Sequence, residues 1–333
     1  MDKLSPLVSV FMMTYNHERY ISQALDSILS QKVLFDYEVV LGDDCSIDGT
    51  KEIVLSYKDK YPDKIKLLLH KKNIGAAKNQ IEVFNNCSGK YIAICEGDDY
   101  WTDPYKLQKQ ISFLEERNDC NISFHNYSIV DRNDVYVSNG HTLYYKDILG
   151  LDDIINGLFP KTCTVVFRRS AIERIDLAEV PFLNDIVLWV LILLDGSYAM
   201  KLNDNMACYR IHENGVWSLQ SRAKRRAHLI KQTAQELSII KSKPKSFILH
   251  SGLVSLYIES AIDLLQSGEI KRAKEQITKA TDLLFDIESF GWNYAIKYIR
   301  FYYLFFKRVV CIIRFHLSLW SRSIKVRTTF PFN

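Results

Sequence analysis

Two short runs of acids carry the chemistry of this chain: Asp43-Asp44-Cys45-Ser46-Ile47-Asp48-Gly49-Thr50 and Glu96-Gly97-Asp98-Asp99. Adjacent carboxylates repel one another unless a cation, or a donor such as a ribose hydroxyl, sits between them. Hard oxygen ligands suit Mg²⁺ or Mn²⁺, which keep waters and take one or two carboxylates plus substrate phosphates. The pattern therefore points to a nucleotide diphosphate held through a metal. Each run also has a plain structural reading. Asp48-Gly49 is a turn signal, and Ser46 or Asp48 can cap a following helix. Glu96 to Asp99 can be a solvated turn before Pro104. Neither explains two acidic runs that each follow a strand.

The strands come from the hydrophobic pattern. Val8 to Met13 reads as a strand, Tyr20 to Ser30 as a helix with Ile21, Ala24, Leu25, Ile28 and Leu29 on one face, and Tyr37 to Leu41 as a second strand. Thr50 to Lys60 is a helix, Ile65 to Leu69 a strand, Gly75 to Cys87 a helix closed by Ser88-Gly89, and Tyr91 to Cys95 a strand. This alternation predicts an open α/β fold, with a mixed, mostly parallel sheet flanked by helices and a site at the carboxyl ends of the strands. Beyond residue 120 shorter strands are expected, at Asn121 to Val130 and Thr162 to Phe167, with a buried helix at Ile186 to Leu194. From 220 to 285 the pattern is helical. The division expected is a catalytic unit over 1–218 and an α-helical C-terminal region over 219–333.

Competing chemistries lack their signatures. There is no GxxxxGK[ST], no GxGxxG after a strand and no serine-hydrolase elbow. A glycosidase needs only a carboxylate pair, not runs of acids on strand-end loops.

The seven cysteines are odd in number and show neither CxxC nor zinc spacing, which fits a reduced cytoplasmic chain. Neither a secretory signal nor an uncharged apolar stretch of membrane-spanning length is read in the sequence. The net charge of +4 is uneven: residues 289–333 hold eight Lys and Arg and no Asp or Glu. On a helical projection Lys297, Arg300, Lys307, Arg308, Arg314 and Arg322 fall within an arc of about 120°. The rest of that helix is aromatic and aliphatic. Such a tail suits an anionic membrane surface, or a core helix with a solvated stripe, and is poorly made for nucleic acid.

The chain resembles the family 2 glycosyltransferases of the GT-A fold, of the kind that build bacterial cell-surface polysaccharides. The resemblance rests on Val8-Ser9-Val10 with Thr14-Tyr15-Asn16, on Ser27 to Gln31, and on Asp43 to Thr50. It continues through Asn73 to Asn79, Gly89-Lys90-Tyr91-Ile92, Glu96 to Trp101, and Asp103-Pro104 with Lys106-Leu107. A looser match reaches Tyr209-Arg210-Ile211-His212 and Val216-Trp217-Ser218. The resemblance implies that Thr14, Tyr15, Asn16, Asp44 and Asn79 bind the nucleotide. Glu96-Gly97-Asp98 stands where the family has its DxD motif, with Glu96 in place of the first Asp. One acid there contacts ribose and another the metal, Asp98 being favoured over Asp99. His212 is expected to face the diphosphate or metal. Asp185, before the apolar helix, is the candidate catalytic base, with an N-cap as its structural alternative. Trp101 and Trp217 are candidates to flank sugar or acceptor.

The implied activity is metal-dependent, inverting transfer of a sugar from a nucleotide diphosphate donor, UDP-sugar favoured, to an acceptor hydroxyl. The acceptor expected is a glycan or lipid-linked glycan, at the inner face of the cell membrane. A non-catalytic nucleotide-sugar or polysaccharide binder and a nucleotidyltransferase remain open as alternatives.

Overall fold

The computed structural model describes residues 5–140, 146–155, 157–173, 175–180, 183–213, 215, 222–239 and 243–285. The amino-terminal half alternates β1 (Val8–Thr14), α1 (Ile21–Leu29), β2 (Tyr37–Asp43), α2 (Thr50–Lys60), β3 (Ile65–Leu69), α3 (Ala76–Asn86) and β4 (Tyr91–Ile94). Next come β5 (Tyr100–Trp101), α4 (Lys106–Glu115), β6 (Cys120–Asp131), β7 (Tyr136–Asn139), β8 (Ile148–Leu149), α5 (Leu151–Ile155) and β9 (Val166–Arg168). The remainder is α6 (Asp185–Ile192), β10 (Tyr198–Ile211), α7 (Arg222–Ile239), α8 (Lys243–Gln266) and α9 (Ile270–Phe285).

One mixed sheet runs in the order β3-β2-β1-β4-β9-β6-β10-β5, with β7 on β6 and β8 on β10. β1 pairs in parallel with β2 and β4, β2 with β3, and β6 with β10. Strand β9 is inserted antiparallel between β4 and β6. The order of strand formation reverses at β1, whose later partners lie on opposite sides. In open α/β sheets the crevice for ligand opens at such a reversal, beyond the carboxyl ends of the strands.

The period of two along β1 sorts the core. Val8, Val10 and Met12 pack with Ile21, Leu25 and Ile28 of α1, Val54 of α2 and Leu107 and Ile111 of α4. Phe11 points the other way, into the cluster that holds Val83 and Phe84 of α3 and Ile186 to Ile192 of α6. Every residue of α6 from Ile186 to Ile192 is buried, so this helix is apolar all round, as its sequence requires. Each such side chain contributes on the order of 2 kcal/mol by leaving water. The carboxyl ends of β1, β2 and β4 are thus held on both faces, and their loops are the free variable.

The latter half departs from the sequence reading in three places. Thr162–Thr164 is a 3-10 turn rather than a strand, and β9 begins only at Val166. Gln110 explains the turn: its buried amide nitrogen bonds Thr164 O and Ser123 O, each at 3.0 Å, in place of a ladder partner. Strands β6 and β10 are long, at 12 and 14 residues, not short. The helical pattern after 220 divides into three helices, and Leu237 and Ile239 of α7 pack against the core cluster that contains α6. The tail over 289–333, with its basic stripe, lies outside the described residues.

Candidate active site

Two loops are zipped together above the sheet. Asn16, in the left-handed region at φ 57°, donates its backbone N–H to Ser46 Oγ at 2.9 Å and accepts from Ile47 N at 2.9 Å. Asparagine is one of the few residues that tolerate this backbone, because its short side chain bonds locally. His17 N donates to Thr50 Oγ1 at 2.8 Å, and Gly49 N donates to Glu18 Oε2 at 2.6 Å. Asp43, at the end of β2, accepts from the backbone N–H and the hydroxyl of Ser46. Asp44 accepts from Ile74 N at 2.7 Å and Gly75 N at 2.9 Å, fastening the loop before α3. Thr14 is buried, and Tyr15 stands out at 42% exposure. Helix α2 starts at Thr50 after Gly49, which has no side chain to cap it, while Asp48 accepts from Thr50 N and Oγ1.

Asn79 sits apart from this group. It is 2% exposed, its Nδ2 donates to Gly42 O at 3.0 Å, and its Oδ1 faces His70 Nε2 at 3.0 Å. A Cβ on Gly42 would stand 2.3 Å from that same oxygen. Asn79 therefore supports the end of β2, with both ends of its amide engaged by Gly42 and His70.

The second acidic run leaves β4 and turns against α1. Gly97 makes the turn possible: a Cβ there would lie 2.9 Å from each of His17 Nδ1, Ile21 Cδ1 and Thr14 Oγ1. The three acids then part. Glu96 Oε2 accepts from Thr162 Oγ1 at 2.8 Å. Asp98 Oδ2 lies 3.0 Å from His212 Nε2 and 3.8 Å from His17 Nε2. Asp99 Oδ1 accepts from Arg210 N at 2.8 Å, and its Oδ2 is buried with no hydrogen-bond partner. Arg210 closes the back of the loop. Its Nε donates to Asp98 O at 2.9 Å, and its guanidinium lies 4.7 Å from the Tyr20 ring centroid.

Electrostatics divide the acids as well. Burial, then the charge of Asp98, pushes the carboxyls of Glu96 and Asp99 up. Burial opposes ionisation of Asp98 too, but His17 and the hydrogen bond from His212 outweigh it and hold that carboxyl below its ordinary value. One oxygen from each of Glu96, Asp98 and Asp99 falls within 4.8 Å of the others, and Asp98 also groups in this way with His17 and His212. Three crowded carboxylates with an orphaned oxygen among them form a donor set suited to a divalent cation.

The start of α6 lies near these acids, close enough for the charge of Asp185 to bear on Glu96. The helix N-cap is Asn184, whose Oδ1 accepts from Val187 N at 2.8 Å. Asp185 is the first residue inside the helix, so the N-cap reading of Asp185 is corrected, although its carboxylate still meets backbone N–H groups of the first turn. Burial raises its pKa, and Lys161 and His228 partly offset that. Trp101 is 3% exposed and donates Nε1–H to Cys163 O at 3.0 Å, so it packs in the core instead of flanking a ligand. Trp217 lies outside the described residues.

Sequence reasoning missed Lys161, Thr162, His17, Arg210 and His228. Lys161 favours the charged forms of Glu96, Asp99 and Asp185 alike, and its ammonium lies 3.9 Å from the Tyr209 ring centroid. His17 stood next to the Thr14-Tyr15-Asn16 segment, which was a usable signal. Arg210 lay within the matched Tyr209-Arg210-Ile211-His212 run and Thr162 in the segment read as a strand, while Lys161 and His228 sit in stretches without local pattern.

The description glycosyl transferase family 2 belongs to the family model that matches residues 9–176. An uncharacterized protein of Mycobacterium tuberculosis is 35% identical over 211 residues, spanning 63% of this chain and 60% of that protein. The chain therefore matches less than two thirds of that relative's length. An Escherichia coli protein, WfgD, named UDP-Glc:alpha-D-GlcNAc-diphosphoundecaprenol beta-1,3-glucosyltransferase, is 30% identical over 64% of this chain and 80% of its own length. In structure, the Pyrobaculum calidifontis mannosyltransferase PcManGT, solved with GDP-Man and Mn²⁺, aligns with a TM-score of 0.55 at 20% identity, covering 91% of this chain and 81% of its own. At that identity the likeness speaks to the fold, and the fold is GT-A. The family match takes in every strand from β1 to β9 and both acidic runs, and on that ground the chain belongs to glycosyl transferase family 2.

Proposed function

We propose that this chain transfers a sugar, with inversion, from a nucleotide diphosphate donor to an acceptor hydroxyl in cell-surface glycan assembly. The observation that carries the reading is the Asp98-centred acid cluster at the carboxyl end of β4, whose Glu96 lies near enough to Asp185 at the start of α6 for their charges to interact. The loop of Thr14, Tyr15 and Asn16 with Asp44 lines the nucleotide side, and exposed Tyr15 offers a face for the base. A UDP donor is favoured, and WfgD is named for UDP-Glc. Asp98 and Asp99, with Glu96 and His212 beside them, would hold Mn²⁺ or Mg²⁺. When bound, such an ion neutralises charge on the leaving diphosphate.

The chain's own residues do the rest. Asp185 accepts the proton of the acceptor hydroxyl as its oxygen bonds the anomeric carbon. The bond from that carbon to the diphosphate oxygen breaks, and its electron pair leaves with the nucleotide. Lys161 favours the ionised form of Asp185 that this step needs. Positioning acceptor, carbon and leaving group in line supplies much of the rate.

The proposed division is a catalytic unit over 1–218 and a helical region over 219–333. A lipid-linked glycan acceptor at the inner membrane face accords with the basic, aromatic tail, and WfgD is named for a diphosphoundecaprenol acceptor. Among the described residues no helix is long and apolar enough to cross a membrane. The test is a thermal-stabilisation screen of nucleotide sugars with Mn²⁺, followed by assay of free UDP release. Stabilisation by no nucleotide sugar, with or without metal, would contradict the proposal.

A further inference from the structure

The first turn of α6 is gripped from a distant part of the chain. The Oδ1 of Asn184 caps that turn by accepting from Val187 N. This fixes the amide's other end toward α7. There Nδ2 lies 3.1 Å from Gln232 Oε1 and 3.2 Å from His228 Nε2. Gln232 Nε2 in turn donates to Glu236 Oε1 at 2.8 Å. Gln232 and Glu236 are 6% and 3% exposed, so this polar chain is inside the protein. Helix α7 is itself held: Leu237 and Ile239 pack on the core beside α6, and Arg226 ties it to Glu259 and Asp263 of α8. A cap needs only its oxygen. The second half of the Asn184 amide is instead committed to two acceptors on another helix, one residue before Asp185.

An amide –NH₂ is a donor only, so His228 Nε2 accepts from it, and the ring is neutral with its proton on Nδ1. We infer that α7 is a working part of the site: Asn184, Gln232 and neutral His228 lock the first turn of α6 and so aim the carboxylate of Asp185, with His228 as the positioning residue. The inference rests on the reading of Asp185 as the base.

Charge around the pair is specific. Asp185 from α6 and Lys231 from its own helix face His228, and burial lowers its pKa, with Asp185 opposing and Lys231 reinforcing that shift. Lys161, His228 and Glu96 bear on Asp185. Protonating His228 would set an Nε2–H against the Nδ2–H of Asn184 and forfeit the contact. The lock is present above the pKa of His228 and is lost as pH falls through it.

The test uses the full chain and UDP release from whichever screened donor is turned over fastest. His228→Ala is expected to lower kcat roughly 10-fold to 100-fold, the scale of a misplaced reacting group, with donor KM unchanged. His228→Gln, whose Oε1 can accept from Asn184, is expected to restore most of kcat and to remove the histidine's share of the acid limb of the pH profile. Spectra of ¹⁵N-histidine-labelled protein at pH 7.5 should show His228 protonated on Nδ1, a readout that needs no turnover. An Nε2-protonated ring, or wild-type kcat in His228→Ala with only a lower Tm, overturns the inference. Asp185→Asn is run alongside. If it is inactive while His228→Ala is fully active, only the role of α7 fails. If Asp185→Asn transfers at the wild-type rate, the base assignment fails and the inference falls with it.

Discussion

At the level of single residues, the three acids after β4 have three different neighbours, and so three different consequences on removal. Asp98 is paired with histidines at the crevice and supports no backbone group from another element through its side chain. Asp98→Ala should abolish UDP release, as should EDTA on the wild type, and should lower Tm modestly, because buried His212 loses its partner and the fold loses a favourably held carboxylate. Asp99 holds Arg210 N, so its loss should lower stability as well as turnover. Asp185→Asn should retain donor-induced stabilisation while transfer falls on the order of 100-fold or more, the scale of losing a general base. Burial raises the Asp185 pKa above the ordinary carboxylate value. Only the ionised form accepts a proton, so kcat should fall as pH drops through that raised pKa, and Asp185→Asn should show a flat profile there. An acid limb that is identical in the variant would assign the titration to another group.

At the level of elements, turns and helix contacts decide how the acids are presented. A methyl group at Gly97 has nowhere to go among His17, Ile21 and Thr14. Gly97→Ala should lower Tm by several degrees and reduce turnover together, measured by thermal denaturation and UDP release. Helix α7 carries a second, separate test. Burial pushes the Glu236 carboxyl up to about 7, and the bond from Gln232 offsets only part of that rise. Its folded pKa lies above its unfolded one, so the native state holds the extra proton. The stability it contributes is complete below the unfolded value and is lost as pH rises through about 7. Glu236→Gln keeps the acceptor for Gln232 and should raise the unfolding free energy at pH 8.5, by on the order of 1 kcal/mol or more, with little change at pH 5. Equal effects at both pH values would show that the carboxyl is not titrating.

What was legible from sequence follows the range of the interactions. β1, β2, β3 and β4 and the helices between them show in the local period because each buries one face on the same layer. The acidic runs show because charge at a strand end is unusual chemistry. Thr162–Thr164 misleads because β-branched residues look like strand until Gln110, far away in sequence, takes their carbonyl. Asn184 could not be told from Asp185 as the cap, since both residue types serve and only the backbone decides. Lys161 and His228 reach the site through tertiary packing alone, and no spacing announces them, whereas Arg210 stood beside His212 in a matched run without its role being legible.

For the whole molecule, the sheet carries the acidic loops at the strand reversal beside β1, and α7 packs against α6, which carries Asp185. The charge imbalance belongs to residues 289–333, where eight basic residues stand without an acid. If that segment docks on anionic lipid, the full chain should co-sediment with anionic liposomes at low salt, be released at high salt, and fail to bind after removal of 289–333. Absence of binding at low salt would count against a membrane-held acceptor without touching the chemistry at Asp98. The chemistry has its own direct measurement: nucleotide release from a UDP-sugar by the full chain with acceptor glycan and Mn²⁺, repeated in excess EDTA and with Asp98→Ala. The account predicts free UDP, not pyrophosphate, in the first reaction and essentially none in the other two. Undiminished UDP release in EDTA, or pyrophosphate as the product, would contradict it.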